Sequence, residues 1–228
     1  TTTLFNPLQV RECIEERSIG IVIAADLSCS TRCGASGALI GRNIARTIAT
    51  IGLSASIFQD TVELLLFGGQ EHLIEPPGGG RSHVERMVAL YQNTAAAPGR
   101  PGNQRLAETL AGELRRTSLV IVASDFLFPD VFPTLDALAE LKQPHDLFLV
   151  MADSAFAFEL PEISAGWVRL RDSETGARVD LSRAQIRALP GMIRRHLDRV
   201  AGHAERVGLE VLRVPPDAEA FQGAIVDF

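Results

Sequence analysis

The chain has 228 residues, of which 46% are hydrophobic, and its formal net charge is −6. A chain of this size can bury one good core, so we expect a single domain over residues 1–228. Neither sign of charge forms a long block, which argues against a nucleic-acid partner. No apolar stretch reaches the roughly 18 residues of a membrane helix, and the first residues lack the features of a signal peptide. The sequence therefore predicts a cytoplasmic protein with no membrane span.

The first predicted element is a buried strand that ends in a polar motif. Residues 19–25 form an apolar run, which is typical of a strand covered on both faces, and residues 1–18 precede it as a lead-in segment. The run is followed at once by Asp26, Ser28 and Ser30, a carboxylate and two hydroxyls on alternate residues. In an extended or turn conformation, such alternation points the three side chains the same way.

An edge hairpin is predicted next. The apolar runs 62–67 and 72–75 are separated by a short segment that begins with a Gly-Gly pair, a pattern that predicts two antiparallel strands. The second run is short and meets a Pro-Pro pair, so we expect it to lie at the edge of a sheet. After a loop rich in glycine and proline, the pattern predicts a helix over residues 104–116.

Three more apolar runs predict the rest of the sheet, and two of them end in aspartate as the first does. They cover residues 119–124 before Asp125, residues 147–152 before Asp153, and residues 209–214. Helical stretches separate them, as parallel crossover connections demand. This alternation predicts a doubly wound, mostly parallel α/β sheet with one antiparallel edge hairpin, similar to a Rossmann fold.

Two elements are predicted between the last two strands. Residues 167–181 form a small polar hairpin, and residues 182–208 form a long amphipathic helix whose apolar side chains step by three or four. Pro190 is expected to start or kink this helix because it removes an internal hydrogen bond. Arginines occupy the other faces of the helix, and we interpret them as a solvated surface, with a partner surface as the alternative.

Oxygen-bearing residues at two strand ends predict a metal site. In an open α/β sheet, ligands bind at the carboxyl ends of the strands, where the strand order reverses. Asp26, Ser28 and Ser30 at the first strand suit a hard cation such as Mg²⁺, which prefers near-octahedral oxygen coordination. Asp125, at the end of another central strand, is the natural fourth member. Such a ligand set leaves a coordination position free, which an acidic group of a partner could complete.

Two other interpretations of the same residues stay open. Serines after a strand commonly cap the next helix, and strand-end aspartates commonly hold turns together, so the motif can be structural. A phosphatase-like hydrolase of the haloacid-dehalogenase type would use Asp26 as a nucleophile, supported by a second carboxylate two residues later. That position is Ser28, so the catalytic pair is incomplete.

The motif Asp26-Leu27-Ser28-Cys29-Ser30 after a buried first strand resembles the metal-ion-dependent adhesion site of von Willebrand factor type A (vWA) domains. Further segments are similar to the signatures of a bacterial vWA subgroup often encoded beside MoxR-type AAA+ ATPases. These segments are residues 10–17, 124–126, 145–146, 159–161 and 172–176. The resemblance implies a vWA-like fold, with Mg²⁺ held by Asp26, Ser28, Ser30 and Asp125, and with Mn²⁺ or Ca²⁺ as alternatives.

The resemblance also implies a non-enzymatic adaptor. Its partners would be a protein that offers an acidic ligand residue and a MoxR-type AAA+ ATPase, in the assembly or maturation of a protein complex or metalloenzyme. Two positions depart from the family's pattern. Cys29 replaces the usual glycine, and the loop before the Ser-Asp strand has no threonine in register, where Asn103 could donate a carbonyl oxygen instead. A metal-free scaffold that keeps the fold is therefore the alternative.

Overall fold

The predicted apolar runs form the strands of one central sheet. The computed structural model describes residues 19–35, 38–68, 72–96, 105–159, 166–172 and 176–226. The described strands are β1 (Gly20–Asp26), β2 (Gly34–Ala35), β3 (Ala38–Leu39), β4 (Thr61–Phe67), β5 (Leu73–Gly78), β6 (Ser118–Ser124), β7 (Asp146–Ala152), β8 (Trp167–Arg171), β9 (Arg178–Ser182) and β10 (Glu210–Val214).

The helices connect these strands. They are α1 (Ile40–Phe58), α2 (Arg81–Asn93), α3 (Arg105–Glu113), α4 (Val131–Glu140), α5 (Arg183–Arg206) and α6 (Ala218–Val226), with short 3-10 turns at Cys29–Arg32 and Ala155–Phe158. In the part of the chain that the structure describes, no helix has both the length and the apolar character needed to cross a bilayer.

The central sheet has the strand order β10-β7-β6-β1-β4-β5. Its strands are parallel except for β5, which runs antiparallel to β4 at the edge. This arrangement confirms the predicted doubly wound sheet with an antiparallel edge hairpin. From β1 the chain first builds outward through β4 and β5, and then crosses to the other side to add β6, β7 and β10. The strand order therefore reverses between β1 and β6, where such sheets bind ligands.

Two apolar layers cover the two faces of the sheet, and β1 contributes to both because its side chains alternate. Val22 and Ala24 face the layer that contains α3, α4 and α5. Ile21, Ile23 and Ala25 face the layer that contains α1, α2 and α6. Because both faces of β1 are covered, its carboxyl end is held firmly at the centre of the molecule.

Proline has different effects in two of the elements. In β5, the strand continues through the Pro-Pro pair to Gly78, because an edge strand has one side on which no ladder donor is needed. In α5, Pro190 lies inside the helix and does not start it. The start is set by a capping box, in which the Ser182 hydroxyl accepts from the Gln185 N–H and Gln185 Oε1 accepts from the Ser182 N–H at 2.9 Å.

Candidate metal centre

The carboxylate of Asp26 is fixed at the carboxyl end of β1. Asp26 is wholly buried. Its Oδ1 accepts the backbone N–H of Ser28 at 2.7 Å, and its Oδ2 accepts the hydroxyl of Ser124 at 2.5 Å. Burial raises the pKa of Asp26, while the hydrogen bonds from Ser124 and Ser28 act in the opposite direction. Among the described residues, no cationic side chain is a cause of the shift in this pKa.

The two serine hydroxyls lead from this buried carboxylate toward the surface. The Ser28 and Ser30 Oγ atoms lie 2.9 Å apart. Ser28 is buried and Ser30 is half-buried. Between them, Cys29 is half-buried. The site is therefore closed at Asp26 and accessible at Ser30.

Contacts with α2 hold the loop that carries the serines. The Thr31 hydroxyl donates to the Ser28 carbonyl at 2.8 Å. The Arg32 guanidinium donates to the carbonyls of Tyr91 and Thr94 at 2.9 and 2.8 Å, and it lies 5.2 Å from the centroid of the Tyr91 ring. Such a cation–π contact adds to the two hydrogen bonds. The serine hydroxyls are thus presented by an anchored turn.

Asp125 follows β6 and is also wholly buried. Its Oδ1 accepts the N–H of Leu127 at 3.1 Å. Burial raises the pKa of Tyr91, and the charges of Asp26 and Asp125 raise it further. Because β1 and β6 are neighbours in the sheet, Asp125 lies at the strand end next to that of Asp26.

The residue between Asp125 and the following loop has an unusual backbone. Phe126 has a φ of 51°, a left-handed conformation that is uncommon for a bulky side chain. Its N–H donates to the Ser124 hydroxyl oxygen at 2.8 Å, and its side chain is buried. The Phe126 carbonyl accepts from His196 Nε2 at 2.9 Å. Strain of this kind persists only where the surroundings impose it, so the end of β6 is held as firmly as the end of β1.

Ser124 is a member of the site that the sequence did not identify. Strands β1 and β6 are parallel and in register, with Ala25 opposite Ala123. The next residue is Asp26 on β1 and Ser124 on β6. Their side chains point to the same face of the sheet, where they form a hydrogen bond. The predicted family-like segment 124–126 contained Ser124, but only the register assigns the hydroxyl to Asp26.

Gly68, directly after β4, lies against Asp26 and Ser28. The sequence predicted it only as a residue of the hairpin. Its φ is 109°. A Cβ at this position would lie 2.8 Å from the Ser28 nitrogen and 3.0 Å from Asp26 Oδ1. This position therefore requires glycine, because a side chain has no space there and because the φ is positive.

Asn103, the remaining predicted ligand, lies outside the described residues. Asp153, after β7, is half-buried, and its Oδ1 accepts the N–H of Ala155 at 2.9 Å. Across the described ranges, no group of three or more His, Cys, Asp and Glu side chains could hold a metal ion. A cation at this edge of the sheet would therefore depend on the serine hydroxyls as well as the two aspartates.

Solved structures share this fold. An aerotolerance-related membrane protein from Bacteroides fragilis NCTC 9343 is 12% identical with a TM-score of 0.52, over 92% of this chain and 96% of that chain. The conserved hypothetical protein BatB from Bacteroides thetaiotaomicron is 13% identical with a TM-score of 0.53, over 92% of this chain and 98% of that one. The SpRpn10 VWA domain is 9% identical with a TM-score of 0.52, over 93% of this chain and 96% of that one.

At these identities, the likeness concerns the fold alone, and that fold is the vWA fold. Among proteins of curated function, no sequence matches this chain. A family described as "Protein of unknown function DUF58" matches residues 2–199. The chain therefore belongs to the DUF58 family.

Proposed function

We propose that this chain is a non-enzymatic, protein-binding adaptor whose docking point is a divalent-cation site at Asp26, Ser28, Ser30 and Asp125. One observation carries the proposal. Two buried carboxylates and a pair of hydroxyls follow adjacent strands, at the point where the strand order reverses. The vWA fold supports a role in protein interaction.

The donor set fits a hard cation. Asp26 is buried, and no positive side chain of the described residues is among the groups that shift its pKa. A buried carboxylate without a counter-charge is costly, and a cation would remove that cost. Carboxylate and hydroxyl oxygens suit Mg²⁺, and Mn²⁺ and Ca²⁺ accept the same oxygen donors. In this proposal, Asn103 adds an amide oxygen.

Different residues would have different roles in such a site. Ser124 and the Ser28 backbone orient Asp26, while the half-buried Ser30 marks the side from which a partner can approach. When bound, the cation supplies an electrophilic position that an Asp or Glu oxygen of a partner protein can occupy. Affinity for a partner then depends on both the cation and the acidic residue.

The sequence around Asp26 disfavours hydrolysis by this residue. A nucleophilic carboxylate of this type is supported by a second carboxylate two residues later. The position two residues later is Ser28, which cannot act as a carboxylate acid or base.

The resemblance to the vWA subgroup encoded beside MoxR-type ATPases extends the proposal to a partner. The adaptor would link ATP-driven remodelling to a client during assembly or maturation of a protein complex or metalloenzyme. Because an AAA+ ATPase draws on the ATP of the cytoplasm, the proposal locates the pair there.

Thermal unfolding with and without metal tests the site. Mg²⁺ or Mn²⁺ should stabilise the wild type in a saturable way, by about 2.7 kcal/mol at roughly 100 times the Kd. Asp26→Ala and Ser28→Ala should lose this response, whereas Asp153→Ala, the matched strand-end aspartate, should keep it. A wild type that does not respond to either metal would favour the metal-free scaffold.

Capture of the ATPase tests the partner. A MoxR-type ATPase from the same genome should be retained on the immobilised chain in Mg²⁺ buffer and released by EDTA. Asp26→Ala should retain less of it. Equal retention in EDTA would contradict the metal-bridge mechanism while leaving the adaptor role in place.

A further inference from the structure

A charged extension adjoins the edge of the sheet that carries the candidate metal centre. We call it the basic arm, defined as residues 166–172 and 176–195, which comprise the β8–β9 hairpin and the first half of α5. The fully buried α5 residues of the core that faces α3 and α4 begin at Leu197, and Ile193 packs against them. His196 hydrogen-bonds the carbonyl of Phe126, just past the end of β6. The part of α5 that precedes this point, residues 183–195, is about 20 Å of helix.

The arm differs in charge from the rest of the chain. Between residues 166 and 195 there are seven arginines and three acidic residues, in a chain whose net charge is −6. Trp167, Arg169 and Arg171 are the exposed residues of β8, which alternate with half-buried ones. The Trp167 side chain is 70% exposed. One face of the hairpin is thus both basic and aromatic.

The pairing across the hairpin indicates an anionic ligand. Arg169 lies opposite Asp180, and the two form an ion pair at 2.7 Å. Arg171, by contrast, lies directly opposite Arg178. Like charges directly opposite each other destabilise an antiparallel pair. An acidic group bound between these two arginines would remove the repulsion.

We propose that the basic arm binds a short acidic segment of a partner protein that also carries an aromatic residue. Its exposed face is a hairpin of two five-residue strands, each about 17 Å long, which matches a short peptide. A long polyanion such as a nucleic acid would meet the negative charge of the rest of the chain. Arginine and tryptophan are the side chains that most often dominate protein interfaces. The inference rests on the proposed protein-binding function, but it does not depend on the metal.

Trp167 gives a direct readout, because it is the only tryptophan of the chain. The probe is the peptide Glu-Glu-Phe-Glu-Glu, titrated in EDTA at low ionic strength. We expect a saturable blue shift of the Trp167 emission, weakened by added salt. The double variant Arg171→Glu/Arg178→Glu should bind about tenfold more weakly. Arg115→Glu/Arg206→Glu, which makes the same charge change at the opposite edge, should bind like the wild type.

Three results would overturn the proposal. They are the absence of a shift in the wild type, equal weakening in both double variants, and a single-stranded oligonucleotide that binds more tightly than the peptide. Circular dichroism establishes that both variants are folded. A failed titration beside an intact Mg²⁺ response overturns the arm alone. A lost Mg²⁺ response beside an intact titration overturns the metal site alone.

Discussion

Asp26 at the end of β1 and Asp153 after β7 make the same local turn in different surroundings. Each accepts, through Oδ1, the backbone N–H two residues later, at 2.7 and 2.9 Å. Asp26 is wholly buried, and its second oxygen accepts the hydroxyl of Ser124 on the neighbouring strand, whereas Asp153 is half-buried. The turn is a property of aspartate itself. The candidate site arises from the neighbouring strands.

The largest expected loss of stability comes from a substitution of Gly68, the glycine that lies against Asp26. Gly68→Ala would place a Cβ 2.8 Å from the Ser28 nitrogen, at a φ of 109° that alanine disfavours. We expect the free energy of unfolding to fall by about 2–3 kcal/mol in urea denaturation. As a control, Gly112→Ala meets no atom within 4 Å and should be neutral or slightly stabilising. Equal losses in the two variants would contradict close packing at Gly68.

A smaller change in stability is expected when Asp26 or Asp153 is replaced, and the two substitutions should differ. In EDTA at neutral pH, Asp26→Asn should raise the free energy of unfolding by about 1 kcal/mol, because it removes a buried charge but keeps the shape. Asp153→Asn should change it by less than about 0.5 kcal/mol, since a half-buried carboxylate stays partly hydrated. Under the proposed function, the wild type is more stable than Asp26→Asn when Mg²⁺ is present, the reverse of their order in EDTA. An Asp26→Asn variant less stable than the wild type in EDTA would contradict the idea of an uncompensated charge.

The smallest expected effect concerns a buried carboxylate in the amino-terminal half of a strand, away from the candidate metal centre. Glu63 lies on β4, and its Oε1 has no hydrogen-bond partner among the described residues. Burial raises the pKa of Glu63, and the charge of Glu113 raises it further. Because the folded pKa exceeds the unfolded one, this group's contribution to stability is complete below the unfolded pKa and is lost as pH rises through the folded pKa.

Glu63→Gln should therefore stabilise the chain by about 0.5 kcal/mol at neutral pH. The gain should vanish below about pH 3, where the carboxyl is protonated in both states. Urea denaturation at several pH values measures it. Glu108→Gln, on the exposed side of α3, is the matched control and should leave the pH dependence unchanged. A gain that does not vary with pH would indicate repacking instead of a relieved charge.

Much of the fold followed from the sequence, because buried parallel strands are continuous apolar runs separated by helices. The edge position of β5 followed from its prolines, although the strand extends through them to Gly78. The roles of Ser124 and Gly68 could not be predicted. Each contacts Asp26 or the turn after it from a strand that lies next to β1 in space and distant from it along the chain.

The sequence by itself determined the strand-end aspartates, the serine pair after Asp26 and the turns that follow, because those hydrogen bonds span two or three residues. Only the tertiary structure decided which of these groups meet. The bond between Ser124 and Asp26 joins residues 98 positions apart. It exists because β6 pairs with β1 in register. The tertiary structure also sets α5 beside the end of β6, through the hydrogen bond between His196 and the Phe126 carbonyl.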